Sequence, residues 1–86
     1  MTALLTYGQR MIDPESPVPL YRQLAALIRA QIAAGELLPG RAIPSVARLQ
    51  QEHGLARGTV LHALRTLVED GTVVVVPGKG AYVAPR

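Results

Sequence analysis

Apolar residues between positions 19 and 83 fall into blocks whose spacing changes from one to the next, and each block predicts an element. From Pro19 onward, Leu20, Leu24, Leu27, Ile28 and Ile32 recur at three- and four-residue spacing, with Tyr21 and Ala25 widening the stripe. That period marks a helix burying one face. Pro19 suits a first turn, where a missing N–H goes unnoticed, and Gly35 is a natural stop. Arg22, Gln23, Arg29 and Gln31 mostly occupy other sectors of this helix. The connector that follows, residues 37–44, holds two prolines and a glycine, and Ser45 stands where an N-cap hydroxyl is wanted. A short second helix is predicted with Val46 and Leu49 inward and Gly54 as its stop. Only Leu55 and Ala56 precede Arg57 and Gly58, where a third helix starts. It carries Val60, Ala63, Leu64, Leu67 and Val68 on one face and ends at Gly71. Val73 to Val76, the turn Pro77-Gly78-Lys79-Gly80, and Ala81-Tyr82-Val83 then read as a β-hairpin.

The first sixteen residues behave differently. Leu4, Leu5, Tyr7, Met11 and Ile12 show no sustained period, and the stretch ends in Asp13-Pro14-Glu15-Ser16-Pro17. The chain therefore divides into an N-terminal arm, 1–16, and a domain, 17–86. The arm is either a frayed terminus or a segment that packs on the core or on a second copy.

Two short helices joined through a tight glycine turn, the second opening with polar and basic residues, form a helix-turn-helix. The fold class expected is α+β: a three-helix winged helix-turn-helix with a C-terminal two-stranded β-hairpin wing. In such an arrangement the second helix of the pair, helix 3 here, enters the major groove of double-stranded DNA with its N-terminal residues first. Arg57 offers a fork to guanine O6 and N7 or to a phosphate. Thr59 offers a hydroxyl to phosphate or a methyl to thymine, and Gly58 lets the backbone come close. Lys79, between two glycines at the wing tip, suits a phosphate or minor-groove contact. Ser45 is an N-cap with a phosphate contact as an additional role. Arg48, Arg41 and His62 are further candidates, each also readable as an ordinary surface residue.

Composition narrows the alternatives. Lys and Arg exceed Asp and Glu by 9 to 6, a net charge of +3, which favours a polyanionic partner. At 86 residues and 49% hydrophobic, the chain folds as one small domain. The absence of cysteine excludes a disulfide scaffold, a thiolate zinc site and a cysteine nucleophile. His53 and His62 have no carboxylate or cysteine companions, so no metal and no cofactor is expected. The acids form no acid/base pair, and the Gly-Lys step at the wing lacks the spacing of a phosphate-binding loop. No enzyme activity is expected. Signal-peptide and transmembrane patterns are missing, so the expectation is a cytoplasmic protein without membrane contact.

These residues also carry a resemblance. Pro19-Leu20-Tyr21-Arg22-Gln23-Leu24, Gly35-Glu36-Leu37, Pro39-Gly40 and Ile43-Pro44-Ser45 resemble the DNA-binding domain of the GntR family of bacterial transcription regulators. So do Leu49, Gly54-Leu55-Ala56-Arg57-Gly58-Thr59-Val60, Ala63-Leu64, Gly71 and Gly80-Ala81-Tyr82-Val83. The resemblance covers about three quarters of the chain, in the family's order and spacing. It implies operator binding, commonly as a repressor and a homodimer on a near-palindromic site. It places Arg57, Gly58 and Thr59 where members contact DNA, Ser45 near a phosphate, and Lys79 and Gly80 on the wing.

The departures are specific. After Pro-Ser the family commonly has an acid and then a DNA-contacting Arg, where this chain has Val46 and Ala47. Arg48 comes one residue later, turned by about 100° on a helix. Leu61 stands where another Arg is frequent, and Gln50 where a small residue is usual. The two missing cations leave open a second function, a winged helix that docks on protein. Most members continue into a ligand-binding domain, so a third reading is the DNA-binding fragment of a longer effector-controlled regulator; nothing in these residues identifies a small-molecule effector. Finally, a hairpin strand normally buries one face, so two of the four valines are expected outside. They suit either self-association or burial within one copy.

Overall fold

The computed structural model describes residues 12–85; the arm residues Leu4, Leu5, Tyr7 and Met11 lie outside the described residues. Five elements follow in order: α1 (Leu20–Ala33), α2 (Val46–His53), α3 (Arg57–Glu69), β1 (Val73–Val76) and β2 (Gly80–Val83). Among the described residues the architecture is the expected one, three helices and an antiparallel hairpin.

The stripe on α1 buries Leu24, Ala25, Leu27 and Ile28, while α3 turns Val60, Ala63 and Leu67 inward. These two helices pack on each other, and α2 adds Leu49 to the same core. Ile43, Leu55, Val73 and Val83 close it from the connector, the turn and the base of the hairpin. Val46 and Leu64 are half-buried, whereas Val68, expected on the inner face of α3, is 39% exposed. It follows Leu67 by one residue and so is turned by about 100° from it, off the buried stripe of Val60, Ala63 and Leu67.

The predicted caps are present. The Ser45 hydroxyl accepts the Arg48 N–H at 3.1 Å, starting α2. Gly54 ends it in a left-handed conformation (φ 64°), sending its N–H back to the Gln50 carbonyl. A side chain at that φ would be strained, so glycine fixes the tight turn of the helix-turn-helix.

The hairpin pairs Val73 with Val83, Val74 with Tyr82, Val75 with Ala81 and Val76 with Gly80. Of the four valines only Val73 is buried, so three, not two, stand outside, although Ala81 opposite Val75 packs partly against the core. Val75, on the inner face by alternation, is 59% exposed because the hairpin extends past the helices that would cover it. The connector before α2 runs along the other edge of β2. Gly40 N–H donates to Val83 O (2.9 Å), Val83 N–H to Arg41 O (2.8 Å) and Ile43 N–H to Ala81 O (3.0 Å). Ala42 forms a bridge with Tyr82. This third rung ties the entry to α2 to the base of the wing.

At the other end of the core, Asp70 caps α3 and joins three segments. Its carboxylate accepts the Thr72 N–H (2.9 Å) and hydroxyl, and also the Arg29 guanidinium from α1. The Thr72 hydroxyl first, and Arg29 next, lower its pKa from 3.8 to about 2. Before α1, Gln23 folds back on the preceding loop. Its side chain accepts the Asp13 N–H at 2.7 Å and donates to the carbonyls of Asp13 and Val18, both at 2.8 Å.

Candidate nucleic-acid interface

Helix α3 divides by its own period into two faces. Val60, Ala63 and Leu67 are buried; Gly58, Leu61, His62 and Arg65 are exposed at positions recurring every three or four residues. The exposed face begins at the turn set by Gly54, and its first residues are those singled out from sequence. Arg57 opens the helix, exposed and without a hydrogen bond or ion pair among the described residues. The N-cap beside it is Ala56, which supplies no side-chain acceptor to the first-turn N–H groups.

Gly58 is informative for what it does not need. Its φ is not positive, and a Cβ built there would meet nothing within 4 Å. Neither backbone geometry nor packing among the described residues requires glycine at this position. Glycine in a helix costs up to about 1 kcal/mol relative to alanine, and no internal contact offsets that cost here.

Two shallow concavities gather most of the other candidates. One, of about 510 Å³, is lined by Leu20, Tyr21, Ala56, Gly58, Thr59 and His62. It brings Gly58, Thr59 and His62 to one opening, and the His62 imidazole stacks on Tyr21 there. The other, of about 250 Å³, puts Ser45 at the start of α2 on the same groove as Lys79 and Gly80 of the wing. The wing turn is closed by the Lys79 N–H on the Val76 carbonyl at 2.9 Å. Gly78 and Gly80 flank it with φ of 78° and 125°, values that demand glycine and leave the Lys79 side chain exposed on a thin loop.

Arg48 is held differently. Its Nε donates to Glu52 Oε2 at 2.9 Å along α2, a pair at four-residue spacing that its exposure makes weak. The structure therefore gives Arg48 a local partner that the side chains of Arg57 and Lys79 lack among the described residues. Two residues were missed by the sequence reading. Arg65 lies on the same stripe as Gly58, exposed and without a partner among the described residues. Its signal was in the sequence, seven residues from Gly58 and so two helical turns along one face. Tyr21 was read as widening a core stripe, and its stack on His62 joins residues too distant in sequence for any local pattern to show.

Among the described residues no group of three or more His, Cys, Asp or Glu could hold a metal, and no helix is long and apolar enough to cross a membrane.

With this geometry in hand, the relatives are informative. The family model "Bacterial regulatory proteins, gntR family" matches residues 20–83. The mannosyl-D-glycerate transport/metabolism system repressor MngR of Escherichia coli is 54% identical over 65 residues, covering 76% of this chain and 27% of the relative. The transcriptional repressor NagR of Bacillus subtilis is 36% identical over 73 residues, covering 85% of this chain and 30% of the relative. The chain thus spans less than a third of the length of these curated relatives. Among solved structures, YtrA from Sulfolobus acidocaldarius, a GntR-family transcription factor, superposes with a TM-score of 0.82 at 38% identity, covering 90% of this chain and 81% of that one. The DNA-binding domain of AraR in complex with an operator superposes with a TM-score of 0.77 at 35% identity, covering 84% of this chain and 89% of that one. This chain belongs to the GntR family of bacterial regulatory proteins and folds as that family's winged-helix DNA-binding domain.

Proposed function

We propose that the chain reads a specific operator as the DNA-binding part of a transcriptional repressor, with α3 in the major groove and the wing on the adjacent backbone or minor groove. The observation that carries this reading is the first turn of α3. An Arg57 unpaired among the described residues and a glycine with empty space above it are exposed there, beside a half-buried Thr59. Arg57 contacts a base edge or phosphate, Gly58 admits the backbone close to DNA, and Thr59 and His62 border the same opening. Ser45, already an N-cap acceptor, keeps its hydroxyl hydrogen for a phosphate, and Lys79 with Gly80 approaches the neighbouring strand. Arg48 joins only by exchanging Glu52 for a phosphate, which makes it the weakest of the set. The repressor role is supported by the relatives MngR and NagR, both named as repressors.

The same reading includes a homodimer on inverted half-sites and action in the cytoplasm without catalysis. The free apolar surface of Val74, Val75 and Val76 supports self-association. A second reading, docking on a protein, draws on Leu61, which puts an apolar side chain 38% exposed on the helix face where a cation is frequent.

Selection from a pool of random duplex DNA, followed by affinity against salt, tests the proposal. Enrichment of two inverted half-sites is the expected result. Salt-sensitive binding without enrichment removes the sequence-specific claim, and no binding at low salt moves the assignment to protein docking.

A further inference from the structure

The contacts proposed above give Tyr21 no part, yet its geometry bears on them. Its ring lies parallel to the His62 imidazole, with centroids 3.6 Å apart and planes within 8°. Tyr21 belongs to α1 and packs against the core; His62 belongs to α3 and is exposed. A half-buried ring anchored in the core thus lies against an exposed one. An unsupported histidine on a helix surface samples several rotamers, and any contact it makes must first order it. Stacking fixes the imidazole plane before a partner arrives. With one face covered, the ring nitrogens at the edge are the groups left to form hydrogen bonds. That edge borders the concavity shared with Gly58 and Thr59. His62 follows Thr59 by three residues, so both flank one opening.

We propose that Tyr21 is a positioning residue for DNA binding. Its ring holds the His62 imidazole so that an edge nitrogen donates to a DNA phosphate at the margin of the groove α3 enters. Tyr21 itself touches no DNA. This inference rests on the reading that α3 faces DNA.

The test is a double-mutant cycle on affinity, using the duplex enriched in the selection and a scrambled duplex of the same length. The variants are Tyr21→Phe, Tyr21→Leu, His62→Ala and the double variant Tyr21→Leu/His62→Ala, with the His62 ring-proton shifts followed by NMR. His62→Ala and Tyr21→Leu are each expected to weaken binding roughly 3- to 10-fold on both duplexes, the range an aromatic pair supports. Tyr21→Phe, which keeps the ring, is expected to stay within about two-fold of the parent chain. The double variant is expected to lose no more than His62→Ala alone. The ring-current shift on His62 should persist in Tyr21→Phe and vanish in Tyr21→Leu.

Additive losses would mean that Tyr21 acts through the core and not through His62, and a loss confined to the enriched duplex would overturn the phosphate contact. His62→Ala changes an exposed residue and leaves the core whole. It therefore decides the matter even where Tyr21→Leu fails to fold: affinity within two-fold of the parent chain defeats the proposal. If the parent chain binds neither duplex, it is the DNA-facing reading of α3 that fails.

Discussion

The two ends of α3 treat charge in opposite ways. Each carries the sign that opposes the helix dipole, a cation at the N-terminus and a carboxylate at the C-terminus, an arrangement that costs about 0.3–1 kcal/mol at an exposed site. At the C-terminal end the chain supplies the compensation itself, since Asp70 accepts from Thr72 and from Arg29 of α1. At the N-terminal end it supplies none. Arg57 has no partner among the described residues, and Ala56 offers no cap. The C-terminal end is finished by contacts that hold the fold together. The N-terminal end is left open, as a surface completed by an anion from outside should be.

The comparison separates stability from binding, and Arg57→Ala should break it most visibly. Loss of the fork is expected to cost about 1–3 kcal/mol of affinity for the enriched duplex and to relax preference at one base position. Stability should stay level or rise by a few tenths of a kcal/mol, because a cation leaves the positive end of the helix. Titration beside thermal melting checks both. Equal loss on every sequence would move Arg57 to a phosphate role.

At the opposite end the effects should reverse. Asp70→Asn is expected to cost about 1 kcal/mol or less of stability, since its partners are exposed and solvent screens the pair, while DNA affinity holds. Its pH dependence has a fixed sign. Folding lowers the Asp70 pKa from 3.8 to about 2, so the native state favours the ionised form. The stabilisation is therefore present in full above about pH 4–5 and is lost as the pH falls toward 2. Denaturant melts across that window should show a steeper decline for the parent chain than for Asp70→Asn.

The wing sharpens the same contrast from another element. Lys79→Ala should weaken binding to enriched and scrambled duplexes alike and reduce the slope of log affinity against log salt by about one. Melting should not change, because the Lys79 side chain bonds to nothing among the described residues; its N–H closes the turn, and alanine keeps it.

Sequence made part of this legible and left part hidden, for physical reasons. Elements and caps follow from local rules: the α1 stripe, the Ser45 hydroxyl and the left-handed Gly54 act over a few residues and appeared where expected. The pairing of residues 40–43 along β2 did not, because a stretch with two prolines and a glycine has no strand period and gains its ladder only from a distant partner. The exposure of Val75 was hidden because alternation assigns a face but not how far the hairpin outruns the core. For the candidate site, sequence position alone proposes Arg57, Gly58, Thr59 and Lys79, and the fold sets Gly58 and Thr59 on one opening and Lys79 on the wing groove. The Arg48–Glu52 pair is legible too, from its four-residue spacing.

Gly58→Ala should give the smallest effect and the cleanest one. A methyl at this position enters empty space in the free chain, and the backbone is already helical. Alanine should therefore stabilise the domain by a few tenths to about 1 kcal/mol, partly by restricting the unfolded chain. If DNA comes close to the α3 backbone at this turn, the same methyl has to displace it, and affinity should fall while stability rises. Opposite signs from one added carbon would place the cost of the glycine with the ligand. Rising stability with unchanged affinity would instead put Gly58 clear of the DNA and narrow the interface to Arg57, Thr59 and the wing.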